Sequence, residues 1–161
     1  MNAQIARCVD IILSRLRHSV PNNQAPLKPS VAVILGSGLG PFADTLEVVA
    51  EISYDELPGF PEPGVGGHAG RLLLAKVGDT LTVVLQGRAH YYEQGQADVM
   101  AVPVRTLAAI GCQTLVLTNA AGSLLDAAAP GAVMLITDHL NMTGVSPLFG
   151  ATGNQRFVNM G

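Results

Sequence analysis

The chain has 161 residues, enough for one domain with a sizeable core. Its formal net charge is −3 with no basic run, which argues against a nucleic-acid surface. Apolar residues make up 48% and charged residues only 13%, against roughly 25% charged in ordinary soluble domains; this excludes a disordered chain and predicts surface covered by a partner subunit or by further chain.

Ile5, Val9, Ile12, Leu13 and Leu16 recur at helical spacing and predict an amphipathic helix over residues 2–17. Arg7, Asp10, Arg15 and Arg17 interrupt any apolar core of a secretory signal, and His18 sits where a cation complements the helix dipole. Residues 20–29 are rich in Pro and Asn and read as a connector. Val31–Leu35 is a short apolar run, expected to be a strand buried on both faces, and Pro41 is suited to open a short helix reaching about Leu46. A strand is expected at Val48–Ser53, followed by a Gly/Pro loop from Leu57 to Gly70 that contains His68. The runs 71–77 and 80–86 are strand-like, with Gly78-Asp79 between them as a two-residue hairpin signal. After a polar, aromatic loop over 87–96, Asp98 is placed to cap a helix reaching Ile110, with Pro103 bending or delaying it and Gly111 at its end. Thr114–Thr118 reads as a buried strand, Pro130-Gly131 as a turn, and Ala132–Ile136 as another strand; no periodicity is visible from Thr143 onward. Buried strands, a hairpin and helices together predict an α/β domain with a mixed sheet. The longest uncharged stretch, between Arg105 and Asp126, contains Gln113 and Asn119 and reads as helix end, strand and loop rather than a membrane span.

Three segments concentrate polar chemistry or backbone access. Gly36-Ser37-Gly38-Leu39-Gly40 and Asn119-Ala120-Ala121-Gly122 each follow an apolar strand and are built of small residues, which let backbone N–H groups approach a ligand closely. Such loops at the carboxyl ends of strands are where α/β sheets usually bind ligands, although the first loop alone fits a plain strand-to-helix turn equally well. The third segment, Arg88-Ala89-His90-Tyr91-Tyr92-Glu93, packs a guanidinium fork suited to phosphate beside an imidazole, with Glu93 able to fix that imidazole in one tautomer. His68, among small neighbours, suggests a loop beside a ligand, and His139 reads as a buried, hydrogen-bonded histidine. The histidines are scattered, and Cys8 and Cys112 fall in no metal-spaced or CxxC pair; no metal site is expected, and both cysteines read as reduced packing residues of a cytosolic protein. No Gly-Lys-Ser/Thr follows the glycines, which excludes a P-loop, and Pro41 stands where a dinucleotide fingerprint needs its third glycine.

These segments resemble the signatures of the trimeric purine nucleoside phosphorylases. Residues 33–40 look like that family's first phosphate loop, Gly67-His68-Ala69-Gly70 its second signature, and residues 86–93 its third. Thr118-Asn119-Ala120-Ala121-Gly122 is similar to the fourth and Asp138-His139-Leu140-Asn141 to the fifth, all in family order. The related methylthioadenosine phosphorylases, an alternative, usually carry Arg where this chain has Ala69. The resemblance implies a phosphorylase-like α/β fold with a mixed central sheet flanked by helices, residues 1–161 forming the N-terminal portion of a single domain that is incomplete at its C-terminus. It implies phosphorolysis of purine ribonucleosides or deoxyribonucleosides to the free purine and the sugar 1-phosphate, in a cytoplasmic, trimeric enzyme of purine salvage. Phosphate is a co-substrate, and no cofactor, nucleic acid or membrane partner is implied. By motif match, Ser37, His68, Arg88, His90 and the backbone N–H of Ala120 would hold phosphate. Tyr92 would lie against the ribose, Ala120, Ala121 and Gly122 would line the purine, and Arg88, His90 and Glu93 would carry the catalytic role. The family's purine-binding Glu and Asn lie beyond the resembling stretch. The expectations for the chain acting alone are therefore an inactive fragment, an active enzyme completed by a second chain, or a non-catalytic module binding phosphate or a partner.

Overall fold

In the structure, a computed structural model, residues 2–19, 28–62 and 69–153 are described. The first helix, α1 (Ala3–Ser19), buries Ile5, Cys8, Ile12 and Leu16, one stripe at spacings of three and four. Arg17 and His18 occupy its last turn, and the His18 ring Nδ1 lies 2.7 Å from the Ser14 carbonyl oxygen. The strands β1 (Val31–Leu35), β2 (Glu47–Ser53), β3 (Arg71–Val77), β4 (Thr80–Gln86) and β5 (Thr114–Leu117) form one sheet in the order β2-β3-β4-β1-β5. β2, β3 and β4 are an antiparallel meander, whereas β1 lies parallel to both β4 and β5. The β3–β4 hairpin turns at Gly78 and Asp79, with Gly78 at φ 58° and Val77 paired to Thr80.

Strand alternation divides the core. Ala32, Ile34, Leu72, Leu74, Leu81, Val83 and Leu85 face the layer that holds α1 and α4 (Ala101–Ile110). Leu35, Leu73 and Val84 face the other side, where they meet Ala43 of the four-residue helix α2 (Gly40–Ala43). Each fully buried Leu or Ile in this core contributes about 1.5–3 kcal/mol relative to exposure. In α4, Pro103 occupies the third helical position, where an N–H has no intrahelical partner to lose. The helix ends at Gly111, φ 112°, whose N–H bonds to Ala108 while that of Cys112 bonds to Leu107, a Schellman closure. Asp98 does not cap this helix with its side chain; it contributes its carbonyl to Ala101 N–H, and Met100 is the capping position.

Three expectations fail beyond Gly111. β5 forms, but every residue in it is exposed instead of buried. Ala132–Ile136 forms no strand; Val133 is 99% and Leu135 85% exposed. A strand requires a pairing partner, and among the described residues β5 is paired only through β1, leaving its other edge open. His139, expected to be buried, is exposed, with its backbone N–H on its neighbour's carboxylate, Asp138 Oδ1, at 2.8 Å. Among the described residues no helix is long and apolar enough to cross a membrane, and no group of three His, Cys, Asp or Glu is arranged to hold a metal ion.

Candidate functional site

Because β1, β4 and β5 run parallel, their carboxyl ends emerge along one edge of the sheet and deliver the Gly36, Arg88 and Thr118 segments together. Gly36 is the point of closest approach: a Cβ built on it would stand 2.3 Å from the Thr118 carbonyl oxygen, 2.8 Å from Arg88 Nη1 and 2.9 Å from Asn119 Cα. Only a residue without a side chain fits between those groups.

Arg88 is half-buried and makes two bonds. Its Nη1 donates to the Thr118 carbonyl, and its Nε donates to His90 Nε2 at 3.2 Å. Accepting that bond requires a lone pair on His90 Nε2, so the imidazole proton resides on Nδ1. Nδ1 faces Glu93 Oε1 at 2.6 Å, and the same oxygen accepts the His90 backbone N–H at 3.0 Å. Glu93 is therefore both the cap of a short helix, α3 (Tyr91–Gln94), and the acceptor that fixes the His90 tautomer. The relay runs from Glu93 through His90 and Arg88 to the end of β5. The Tyr92 ring stacks on the His90 ring with centroids 4.9 Å apart and planes at 14°, while the Tyr92 side chain stays 74% exposed.

Two supports were given no role from the sequence, Tyr54 and Gln86, the latter the first residue of the third signature. The buried Tyr54, in the 3-10 turn that follows β2, donates its hydroxyl to the Gly87 carbonyl at 2.7 Å and so pins the residue before Arg88. Gln86, the last residue of β4, accepts from Arg71 Nε at 2.5 Å and donates to the Gly40 carbonyl at 3.2 Å, which ties the far end of the glycine loop to the sheet. Tyr54 follows no sequence motif, and the signature that begins at Gln86 does not say what its side chain bonds.

Of the residues expected to form the site, the structure brings Arg88, His90 and Glu93 into one bonded group beside Gly36, with Tyr92 against the imidazole. Ser37 follows Gly36 and is exposed at the start of its loop. Ala120, Ala121 and Gly122 continue from the Thr118 end as exposed chain. His68 lies outside the described residues, although Gly70 sits on the same edge, with its N–H on the Gln86 carbonyl at 3.1 Å. A different depression, open and 790 Å³ in volume, is lined by Arg7, Asp10, Arg15, Arg17 and His18 of α1 and by Glu56; it includes none of these loops. The arrangement at the sheet edge places a guanidinium beside two loops of small residues, a setting suited to an anion, while both ring nitrogens of His90 are engaged, by Glu93 and by Arg88.

The sequence model of the phosphorylase superfamily matches residues 30–161. The chain is 44% identical over 125 residues to purine nucleoside phosphorylase 1 of Geobacillus stearothermophilus, covering 78% of this chain and 46% of that protein. It is 41% identical over 138 residues to purine nucleoside phosphorylase 1 of Bacillus subtilis, covering 84% and 51%. Among solved structures it is similar to the purine nucleoside phosphorylase of Schistosoma mansoni in complex with acetate, with a TM-score of 0.59 and 31% identity over 74% of this chain and 40% of that one. The chain thus spans about half the length of the curated relatives it matches.

Proposed function

This chain belongs to the phosphorylase superfamily, and on that premise we propose that it acts in phosphorolysis of purine nucleosides, with inorganic phosphate as the nucleophile and the free purine and pentose 1-phosphate as products. The observation that carries the reading is the convergence of Gly36, Arg88 and Thr118 at the carboxyl ends of three parallel strands, with His90 held in one tautomer beside them. Cleaving an N-glycosidic bond builds positive charge on the sugar, so a phosphate dianion serves as nucleophile and as the counter-charge in one position. In this reading Ser37, His68, Arg88, His90 and the Ala120 N–H bind phosphate, Tyr92 lies against the ribose, and Ala120, Ala121 and Gly122 line the purine. Glu93 keeps the Nδ1 proton of His90 in place. Phosphate is the only co-substrate, with no cofactor. A homotrimer in the cytoplasm, serving purine salvage, completes the proposal; the low charge content and the open apolar edge at β5 support a subunit contact.

A second reading, phosphate binding without turnover, rests on the Arg88 guanidinium and the small-residue loops at the sheet edge being suited to an anion. The test is calorimetric titration of the protein with inorganic phosphate, followed by an assay of hypoxanthine release from inosine with and without phosphate. Phosphate-dependent release supports the enzyme, binding without release supports the second reading, and a folded chain that does neither overturns both.

A further inference from the structure

Resting on that reading, we propose that Thr118 is a positioning residue for phosphate, setting the shape of the first anion loop and the aim of Arg88 from a single residue at the end of β5. Its hydroxyl accepts the Gly36 N–H at 2.8 Å and donates to the Ile34 carbonyl at 3.1 Å. Its backbone N–H also reaches the Ile34 carbonyl at 3.2 Å, and its own carbonyl accepts Arg88 Nη1. Thr118 therefore bonds both sides of the β1 terminus and the guanidinium at once.

The chemistry at this position is specific. The β1–β5 ladder registers Ile34 with Leu117, so Thr118 and Gly36 lie just past the last paired residues. Past the ladder the Gly36 N–H needs another acceptor, and the half-buried Thr118 hydroxyl supplies it. The hydroxyl is directed by donating its own proton to Ile34, which leaves a lone pair for Gly36. With Gly36 held, the following residues, Ser37 and Gly38, start from a fixed peptide plane, and Gly38 turns at φ 82°. Thr118 needs no contact with phosphate; it acts through Gly36 and Arg88.

Thr118→Val keeps the branched shape and removes the hydroxyl; Thr118→Ser keeps the hydroxyl. Calorimetric titration with inorganic phosphate should show about a tenfold weaker Kd for T118V, the size of one hydrogen bond, and near wild-type affinity for T118S. Thermal melts in phosphate-free buffer provide the structural control. A T118V protein that melts normally and binds phosphate as wild type does would overturn the proposal while leaving the phosphorolysis reading intact. Should T118V fail to fold, amide NMR of the wild-type protein decides. Phosphate should shift the Gly36 and Thr118 amides together with that of Ser37; a Ser37 shift with Gly36 and Thr118 unmoved overturns the proposal. A wild-type chain that binds no phosphate overturns the functional reading and this proposal with it.

Discussion

Replacing Gly36 with alanine tests the geometry of the site without reference to activity. The added methyl would meet two backbone atoms, Thr118 O at 2.3 Å and Asn119 Cα at 2.9 Å, as well as Arg88 Nη1 at 2.8 Å. Carbon contacts are optimal at about 3.5–4.0 Å, so relief requires the end of β5 to move away from β1, because backbone cannot rotate aside as a side chain can. Overpacking of this kind costs about 1–3 kcal/mol. Gly36 does not have positive φ, so alanine otherwise gains about 0.4–1 kcal/mol by narrowing the unfolded ensemble. The net loss is about 1–2 kcal/mol. With a urea slope of about 2 kcal/mol per molar, the unfolding midpoint should fall by about 0.5–1 M. Gly40→Ala is the control: its Cβ would meet only Gln86 Nε2, at 3.7 Å, and it lies in a helix, so its midpoint should be unchanged or slightly raised. Urea melts followed by circular dichroism make the comparison. Equal midpoints for G36A and G40A would refute the claim that the three strand ends close on Gly36.

Tyr54→Phe removes the buried hydroxyl that donates to Gly87 and should cost about 1–2 kcal/mol, read from the same urea melts. Burial raises the Tyr54 phenol well above its ordinary value, so its stabilising effect is complete below about pH 10 and declines as pH rises further; Tyr54→Phe should blunt the alkaline loss of stability. Burial also pushes the Cys112 thiol up to about 11 and raises that of Cys8, so at pH 8 both should react slowly with a disulfide reagent in the native protein and rapidly in denaturant. For Cys112 the folded form resists ionisation that the unfolded form undergoes near pH 9, so stability should decline between pH 9 and about 11, and less so in Cys112→Ala. The exposed β5 carries Leu115, Val116 and Leu117 beside an open ladder edge, so Val116→Lys should reduce concentration-dependent association in sedimentation velocity runs.

The elements that were legible in the sequence are those whose patterns have one physical solution. Val31–Leu35, Arg71–Val77 and Thr80–Gln86 form strands at the bounds read from their apolar runs, because each is closed by glycine or polar residues. The α1 stripe and the Gly111 stop are equally local signals. The expectations that fail are those needing a distant partner: burial of β5, a strand at Ala132–Ile136, and burial of His139. An apolar run states that it can pair, not with what. The site divides the same way. The cluster from Arg88 to Glu93 announces itself by density of polar groups, and its short helix was hidden only because four residues carry too little periodicity. Thr118 and Tyr54 act through backbone groups of other segments; Thr118 opens the fourth signature, but neither that motif nor the surroundings of Tyr54 state which distant groups they bond.

The strand order also fixes when the site can exist. The meander of β2, β3 and β4 joins neighbours in sequence, and the β3–β4 hairpin closes over two residues. β1 can pair with none of these until the chain has returned to Thr82, and β5 cannot join until Thr114 reaches Val31. Loop-closure entropy places such long-range pairings late in folding. The anion loop at Gly36 is therefore unformed while β2, β3 and β4 are already paired, and it acquires its shape when β5 docks on β1. On a ribosome, that shape must await the emergence of Thr118, and the bonds at Gly36 are the last to close on the β1 terminus.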